Sequence, residues 1–232
     1  SASSFPRTLT PFSNSLVFVA NDGESGFELW TVSDRGENLR QIADLRQGIN
    51  SSSPEELTAV GNRLYFTADV GNGRELWSIT SKLERPELIN VGNIDPKNLT
   101  AINEKLYFSG NSGSGRELWV AEGNNASLVA DINPGIGSSS PKDFVVVNHW
   151  VDQNIKPRLY FSAEDGERGV ELWSLDLSSN DANPEREADI YSGPYSSDPR
   201  LLTNAEQNLY FTASDGENGR ELWKLGVTII GT

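Results

Sequence analysis

The 232-residue chain contains no cysteine and no methionine, and it has a single histidine, His149. The absence of cysteine excludes disulfide bonds, thiolate metal sites and a cysteine nucleophile. Any Ser-His-Asp triad or histidine-based zinc site would have to use His149, and no second histidine could share a metal. From these absences and the motifs below we expect no catalytic residues, no metal site and no cofactor.

Long apolar segments and an excess of positive charge are also missing. No apolar run approaches the roughly 20 residues that cross a bilayer, so we expect no membrane insertion. Lys and Arg number 19 against 33 Asp and Glu, which gives a formal net charge of −14. Because such a field repels phosphate groups, we expect no nucleic-acid partner.

The chain has instead an internal repeat built on the tripeptide Glu-Leu-Trp. Its five copies place their tryptophans at Trp30, Trp77, Trp119, Trp173 and Trp223. An alternating apolar segment precedes each copy, at residues 16–20, 64–68, 106–110, 159–163 and 209–213. Such alternation is typical of a half-buried β-strand. Each repeat is therefore predicted to be built from strands.

Four strands make up each predicted repeat, and we name them A to D in chain order. Strand A opens at a proline, which is Pro6, Pro54, Pro96, Pro141 or Pro199. The alternating segment is strand B, Glu-Leu-Trp lies in strand C, and a short apolar stretch after it is strand D. The segments between B and C are rich in Asp, Gly and Asn, which favour hairpin turns.

Four antiparallel strands repeated five times, without helical periodicity, predict an all-β fold. We assign a five-bladed β-propeller, because radial repetition hides the sheet edges; a pair of β-sandwiches is the alternative. The single domain spans residues 1–232, with blades at approximately 5–50, 51–93, 94–137, 138–195 and 196–232. The first residues resemble the linkers between blades, so we expect the first blade to pack against the last.

The pattern LYF-x-A-x-D-G-x-x-G-x-ELW, with the linker at residues 131–141, resembles the bacterial ELWxxDGT-repeat family. The resemblance covers nearly the whole chain, although Asp-Gly-Thr survives only as a trace at residues 33–36. It implies an extracellular, cell-surface or periplasmic location and no particular activity. The hairpin at residues 21–30 is similar to the Asp box of sialidase-type propellers, which is a structural turn.

The repeated glutamates are interpreted as structural hydrogen-bond acceptors; they are Glu28, Glu75, Glu117, Glu171 and Glu221. Acid–base catalysis needs two carboxyl groups in different surroundings at one site, whereas these five would lie a blade apart in similar ones. We expect the neighbouring tryptophans to form the core between blades. Asp22, Asp165 and Asp215 are interpreted as turn formers, since their loops hold too few acids for calcium.

Two functional classes remain. We favour a non-catalytic binding or adhesion module that recognises a glycan, a peptide or a surface protein through loops on one propeller face. The alternative is a glycoside hydrolase with paired carboxylates at the central channel. Few acids flank the centre of strand A (Glu55, Glu56 and Asp143), which speaks against the alternative.

Two insertions fall in the fourth repeat, at residues 148–157 and 178–187. We assign the first to an A-to-B loop and the second to a C-to-D loop, which places both at the same side of the blade. His149 and Trp150 in the first are candidate partner contacts, because exposed aromatic residues anchor interfaces. Alternatively, Trp150 folds back onto its own blade and His149 is an ordinary packing or exposed residue.

The residue after the strand-A proline is basic in four of five copies: Arg7, Lys97, Lys142 and Arg200. In a ring these positions would surround one mouth of the channel and focus a positive potential. We therefore predict an anionic ligand there, such as a carboxylate-bearing sugar or an acidic peptide. The alternative is that these side chains pair with acids on adjacent linkers, such as Glu56, Asp143 and Asp198.

Overall fold

The computed structural model describes residues 3–151, 154–179, 182–225 and 227–228, with the backbone alone at 150, 151, 227 and 228. Within these residues there is no helix, and the strands form five separate four-stranded sheets. In every sheet the strands follow chain order and pair antiparallel. The predicted all-β class and the four-stranded repeat are confirmed.

Each sheet contains the predicted strands A to D in order. Sheet 1 consists of β1 (Arg7–Phe12), β2 (Ser15–Asn21), β3 (Phe27–Ser33) and β4 (Arg40–Ala43). Sheet 2 consists of β5 (Glu55–Val60), β6 (Arg63–Asp69), β7 (Arg74–Thr80) and β8 (Glu87–Leu88). Sheet 3 consists of β9 (Lys97–Ile102), β10 (Lys105–Asn111), β11 (Arg116–Glu122) and β12 (Asn125–Ala130).

The last two sheets follow the same plan. Sheet 4 consists of β13 (Lys142–Val151), β14 (Asn154–Glu164), β15 (Val170–Asp176) and β16 (Glu185–Ala188). Sheet 5 consists of β17 (Arg200–Ala205), β18 (Asn208–Ser214), β19 (Arg220–Lys224) and β20 (Val227–Thr228). Strand A begins directly after its proline in all five sheets, as the sequence predicts.

The entrance to strand A has an unusual backbone in every copy. The residue before the proline has a positive φ, between 42° and 49°, at Phe5, Ser53, Asp95, Ser140 and Asp198. The second residue after the proline is also left-handed, at Thr8, Glu56, Asn98, Asp143 and Leu201. A β-bulge follows there in the pairing of strands A and B. Such strained positions cost about 1–3 kcal/mol each and persist where the surroundings hold them.

A buried glutamate of strand C fastens the linker that leads to the next sheet. Glu171 accepts hydrogen bonds from Ser197 N (3.0 Å), Ser197 Oγ (2.7 Å) and Ile190 N (3.0 Å). Glu28 binds Ser52 and Leu45 in the same way, and Glu117 binds Ser139 and Ile132. All three glutamates are buried. The predicted role as a structural acceptor is confirmed for these copies.

The second copy departs from this pattern. Ile94 occupies the linker position that serine holds elsewhere, and it is buried. Glu75 therefore lacks the hydroxyl donor, and no hydrogen bond to it is found among the described residues. Burial, and then the nearby Asp69, raise the pKa of Glu75.

The core lies between the faces of consecutive sheets. One cluster joins Val17, Val19 and Leu29 of sheet 1 to Leu64, Phe66 and Trp77 of sheet 2. A second joins Tyr160 and Leu172 of sheet 4 to Leu209, Phe211 and Trp223 of sheet 5. Leu and Trp of one Glu-Leu-Trp copy thus point to opposite faces, as alternation along a strand requires. The prediction that the tryptophans join the core between sheets is confirmed at Trp77 and Trp223.

The chain divides into two compact units. The first contains residues up to 112 together with 120–127, and so holds sheets 1 and 2 with strands A and B of sheet 3. The second contains residues 113–119 and those from 128 onward, and so holds sheets 4 and 5. The assignment of one domain to the whole chain stays a prediction.

Residues 148–151 and 154–157 of the first insertion are strand and not loop, which corrects the sequence assignment. They lengthen strands A and B of sheet 4, with His149 paired to Lys156 and Val151 to Asn154. The apolar and aromatic residues of the segment favour strand over loop. Strand D begins at Glu185, so the second insertion is shorter than predicted. Both insertions lie at the same end of sheet 4, as predicted, and Leu177 N donates to Pro157 O there.

Candidate anion-binding site

Three basic side chains converge on one carboxylate in the second unit. Arg200 Nη2 lies 2.5 Å from Asp198 Oδ2, and Arg220 Nη2 lies 2.9 Å from the same oxygen. Lys142 Nζ lies 3.9 Å from Asp198 Oδ1. We name these four residues the Asp198 cluster.

The strand entrances position this cluster. Asp198 precedes Pro199 and has a φ of 48°, and Arg200 begins strand A of sheet 5 just after the proline. Arg220 begins strand C of the same sheet, and Lys142 begins strand A of sheet 4. Each cation therefore sits at the first residue of a strand, which fixes its Cα while the side chain stays outside the core.

Arg220 is held by backbone as well as by Asp198. Its guanidinium donates to Asp198 O (2.9 Å), Thr212 O (3.2 Å) and Thr212 Oγ1 (3.3 Å). Arg74 occupies the same position in sheet 2, where it donates to Ser53 O and to both oxygens of Thr67. In the fifth copy an aspartate replaces that serine and supplies the carboxylate acceptor, whereas Arg74 Nη1 lies 3.5 Å from a different carboxylate, that of Glu55.

Sequence reasoning missed Arg220 and gave Asp198 only the role of a counter-ion. A signal was present, because arginine directly precedes Glu-Leu-Trp at residues 74, 116 and 220. Nothing local indicated that this arginine reaches the linker before strand A, some 20 residues earlier. That proximity depends on the pairing of strands A, B and C, which the tripeptide does not encode.

The cluster carries an uncompensated positive charge. One carboxylate among three cations leaves a formal excess of two charges, in a chain whose net charge is −14. The cations are accessible: the exposed fraction of the Arg200 side chain is 58%, that of Lys142 44% and that of Arg220 36%. A guanidinium group can bind a carboxylate or sulfate through two parallel hydrogen bonds, and the ammonium group of Lys142 adds a point charge.

Within the second unit, the two predicted cations Lys142 and Arg200 lie at the same carboxylate. In the first unit, the Arg7 guanidinium lies 4.4 Å from the centre of the Phe27 ring, a cation–π contact. Lys97 Nζ lies 3.2 Å from Asp95, two residues before it. The alternative foreseen from the sequence, pairing with linker acids, thus describes Lys97 and part of the Asp198 cluster.

His149 contacts its own hairpin. Its Nε2 lies 2.8 Å from Tyr160 Oη, and the two rings meet edge to face at 5.8 Å. Tyr160 is buried, and burial raises its pKa well above the ordinary value for tyrosine. The packing alternative for His149 matches this contact. The side chain of Trp150 lies outside the described residues, so its role as a partner contact stays a prediction.

The aspartates of the Asp-Gly hairpins are occupied by their own turns. Asp215 Oδ1 accepts from Glu217 N and Asn218 N, each at 2.9 Å, and Asp22 Oδ1 accepts from Glu24 N and Ser25 N. These bonds lower the pKa of Asp215 to about 2. Among the residues that the structure describes, no group of three or more His, Asp or Glu side chains could hold a metal ion.

Comparisons with known proteins place the fold but no family. No protein-family model matches the chain, and no curated protein matches it by sequence. The putative TolB from Agrobacterium tumefaciens matches 80% of this chain and 66% of its own, with 8% identity and a TM-score of 0.50.

Peptidases are also among the similar structures. A prolyl endopeptidase matches 96% of this chain and 34% of its own, with 9% identity and a TM-score of 0.59. A puromycin-hydrolyzing peptidase of Mycobacterium tuberculosis matches 91% of this chain and 34% of its own, with 9% identity and a TM-score of 0.50. The chain thus spans about two thirds of the TolB chain and about one third of each peptidase. At this identity the likeness shows the fold alone, which is β-propeller architecture.

Among the described residues, no helix is long and apolar enough to cross a membrane.

Proposed function

We propose that the five sheets are the blades of one five-bladed propeller, and that the protein is a non-catalytic module that binds an anionic ligand at the Asp198 cluster. The observation that carries the proposal is the convergence of Lys142, Arg200 and Arg220 on a single carboxylate. The ligand class is a carboxylate-bearing glycan or an acidic peptide, as the strand-A cations suggest. The resemblance to the ELWxxDGT-repeat family supports a location that is extracellular, periplasmic or at the cell surface.

The non-catalytic assignment is supported by how the reactive side chains are used. Glu28, Glu117 and Glu171 are buried acceptors for linker donors, so they are not available as the paired carboxylates of a glycosidase. His149 is bonded to Tyr160 rather than to a serine or a carboxylate. The peptidases of similar fold are about three times as long as this chain, and their activity gives no support for hydrolysis by these five sheets.

In this proposal the Asp198 carboxylate makes the same kind of contact with the three cations as the carboxylate of the ligand would make. In the free protein its carboxylate holds the three cations together and partly neutralises them. An incoming carboxylate binds the outward N–H groups of Arg200 and Arg220 and the ammonium of Lys142. Asp198 therefore both organises the site and competes with the ligand for its donors.

The competition gives a test in which a substitution strengthens binding. Asp198→Asn keeps the size of the side chain and the backbone acceptor of Arg220 but removes the competing charge. We expect the affinity for a fluorescein-labelled hexaglutamate peptide, measured by fluorescence anisotropy, to rise about tenfold, which is about 1.4 kcal/mol. The gain should shrink as salt rises, since the groups are partly exposed.

Matched alanine variants locate the site. Lys142→Ala and Lys97→Ala remove the same residue type from the same strand position, but only Lys142 belongs to the cluster. We expect Lys142→Ala to weaken hexaglutamate binding severalfold and Lys97→Ala to leave it unchanged. Equal effects of the two variants, or an unchanged or lower affinity in Asp198→Asn, would refute the proposal. Sialylated and neutral glycans tested on the same variants separate the two ligand classes.

A further inference from the structure

Two tyrosines in the linker between sheets 4 and 5 stack on each other at the surface. The ring centroids of Tyr191 and Tyr195 lie 4.8 Å apart, with an angle of 23° between the ring planes. Although Tyr191 covers part of Tyr195, 57% of the surface of Tyr195 is exposed. A pair of stacked rings differs from the single apolar residues that most protein surfaces carry, and such a patch marks a candidate interaction site.

The surrounding structure fixes the position of this pair. Ile190 N and Ser197 N, on either side of it, both donate to the buried carboxylate of Glu171. The Tyr191 ring packs against Gly216 of the next Asp-Gly hairpin, where an added Cβ would lie 2.2 Å from Cζ of the ring. The pair is therefore in place before a ligand arrives, which lowers the entropic cost of binding.

The fold itself does not require aromatic residues at these two positions. The linker between sheets 3 and 4 has the same length, and Glu117 fastens it in the same way. There Asn133 and Gly137 occupy the two positions, and an added Cβ at Gly137 would lie 2.2 Å from the Asn133 side chain. A small amide packed against a glycine thus completes that linker. The tyrosine rings exceed what the turn needs.

The tyrosine pair lies on the same linker as the aspartate of the Asp198 cluster. Tyr195 precedes Asp198 by three residues, so their Cα atoms are at most about 11 Å apart, the reach of an extended chain of that length. The hairpin of sheet 5 contacts both features, because Gly216 packs against Tyr191 and Arg220 pairs with Asp198. All of these residues belong to the second unit. An aromatic surface and an excess of positive charge thus lie within the span of a short oligosaccharide.

We propose that the ligand of the Asp198 cluster is an acidic glycan, of which one sugar ring stacks on Tyr195 while a carboxylate of the same glycan binds the cations. This inference rests on the proposed function and chooses between its two ligand classes. A pyranose ring presents a flat face of C–H groups, which packs on the electron-rich face of an aromatic ring. The side chains of an acidic peptide offer carboxylates but no such face.

Three labelled oligomers test this choice by fluorescence anisotropy. Hexagalacturonate has sugar rings and carboxylates, hexaglutamate has carboxylates without sugar rings, and maltohexaose has sugar rings without carboxylates. We expect the wild-type chain to bind hexagalacturonate about tenfold more tightly than hexaglutamate, because stacking adds to the charge contact. Maltohexaose should bind more weakly than hexagalacturonate, because it has no anionic group for the cations.

Substitution of Tyr195 separates the contribution of the ring from that of the charges. Tyr195→Ala should weaken hexagalacturonate binding about tenfold and leave hexaglutamate binding within about twofold of the wild type. Tyr195→Phe keeps the ring and should bind both oligomers like the wild type. The loss in Tyr195→Ala should persist as salt rises, since stacking is not screened, whereas the loss in Lys142→Ala should shrink.

Ile136→Ala is the matched control for the loss of an exposed apolar side chain. Ile136 lies on the linker between sheets 3 and 4, and 93% of its surface is exposed. We expect this variant to bind hexagalacturonate like the wild type. Since both Ile136 and Tyr195 are exposed, urea unfolding should give the variants the stability of the wild type.

The outcomes separate this inference from the proposed function. Equal affinities for hexagalacturonate and hexaglutamate, with no effect of Tyr195→Ala, would overturn the inference and leave an acidic peptide as the ligand of the cluster. Loss of both ligands in Tyr195→Ala would also overturn it, because the ring would then only support the linker. If neither acidic oligomer binds, or if Lys142→Ala binds both like the wild type, the proposed function fails and the inference fails with it.

Discussion

Replacing Glu171 by glutamine tests whether the strand-C glutamates fasten the linkers. The carboxylate accepts two backbone N–H groups and one hydroxyl, with Ser197 N on Oε1 and with Ile190 N and Ser197 Oγ on Oε2. Glutamine has the same shape but a single acceptor oxygen. In either orientation of its amide, the NH₂ group faces one of the two backbone N–H groups.

The magnitude follows from that one unsatisfied donor. A buried N–H without a partner costs about 1–3 kcal/mol. The hydroxyl of Ser197 can rotate to accept from the new NH₂ group, which limits the loss. We expect Glu171→Gln to lower the free energy of unfolding by about 2 kcal/mol, measured by urea denaturation with tryptophan fluorescence.

Glu75→Gln is the matched control. Glu75 occupies the same position of the repeat, but Ile94 stands in place of the serine and no hydrogen bond to Glu75 is found among the described residues. We expect Glu75→Gln to change the free energy of unfolding by less than about 0.5 kcal/mol. Equal losses in the two variants, or a neutral Glu171→Gln, would refute the idea that these acceptors fasten the linkers.

The pH dependence of the free energy of unfolding gives a second test of Glu171. Burial raises the pKa of Glu171 above its ordinary value of 4.5, despite the bonds from Ser197 and Ile190 that lower it. The native chain thus keeps a proton at a pH where the unfolded chain has lost it. The free energy of unfolding should fall as the pH rises from 4.5 through the raised pKa. Glu171→Gln should make that part of the profile less steep, because the raised pKa values of Glu28 and Glu75 still contribute there.

Two further outcomes concern the Asp-Gly hairpins. Gly23 and Gly216 hold the same position, with φ of 89° and 85°, but an added Cβ at 216 would fall within the Tyr191 ring, whereas at 23 it meets nothing within 4 Å. In urea denaturation, Gly216→Ala should therefore lose more stability than Gly23→Ala; equal losses would mean that backbone strain alone acts. An NMR titration of Asp215 should give a pKa of about 2, because Asn218 and Glu217 donate to its carboxylate. Because this pKa is lowered, the stabilisation by Asp215 is present above the ordinary pKa of 3.8 and is lost as the pH falls towards 2. A measured pKa near 3.8 would show that the hydrogen bonds to Asp215 do not form in solution.

The strand positions could be predicted because their signals are local and occur five times. A proline before strand A, alternation in strand B and Glu-Leu-Trp in strand C each act within a few residues. Strand D was harder to delimit: β8 has only two residues, Glu87 and Leu88, although the apolar stretch around them is longer. The pairing of strand D with strand C ends before the apolar stretch ends. The alternation of apolar residues in a sequence does not show where such pairing stops.

The candidate site could be predicted only in part. Lys142 and Arg200 were visible as basic residues after a proline, but Arg220 was not grouped with them. Their meeting at Asp198 depends on strand pairing and on the positive φ of 48° at that aspartate. A non-glycine residue before proline is expected to be extended. Sequence reasoning accordingly had no basis for the turn that directs this carboxylate towards strand C.

The Asp198 cluster also shows how a repeat can gather charged side chains without disturbing its fold. The position before the strand-A proline is left-handed in every copy, whichever residue occupies it. Where it is aspartate, at Asp95 and Asp198, the basic residue two positions later pairs with it. At Asp198 an arginine of strand C and a lysine of the preceding sheet reach the same carboxylate. None of these four side chains belongs to the core, and the excess charge arises because three basic residues meet a single aspartate at these positions.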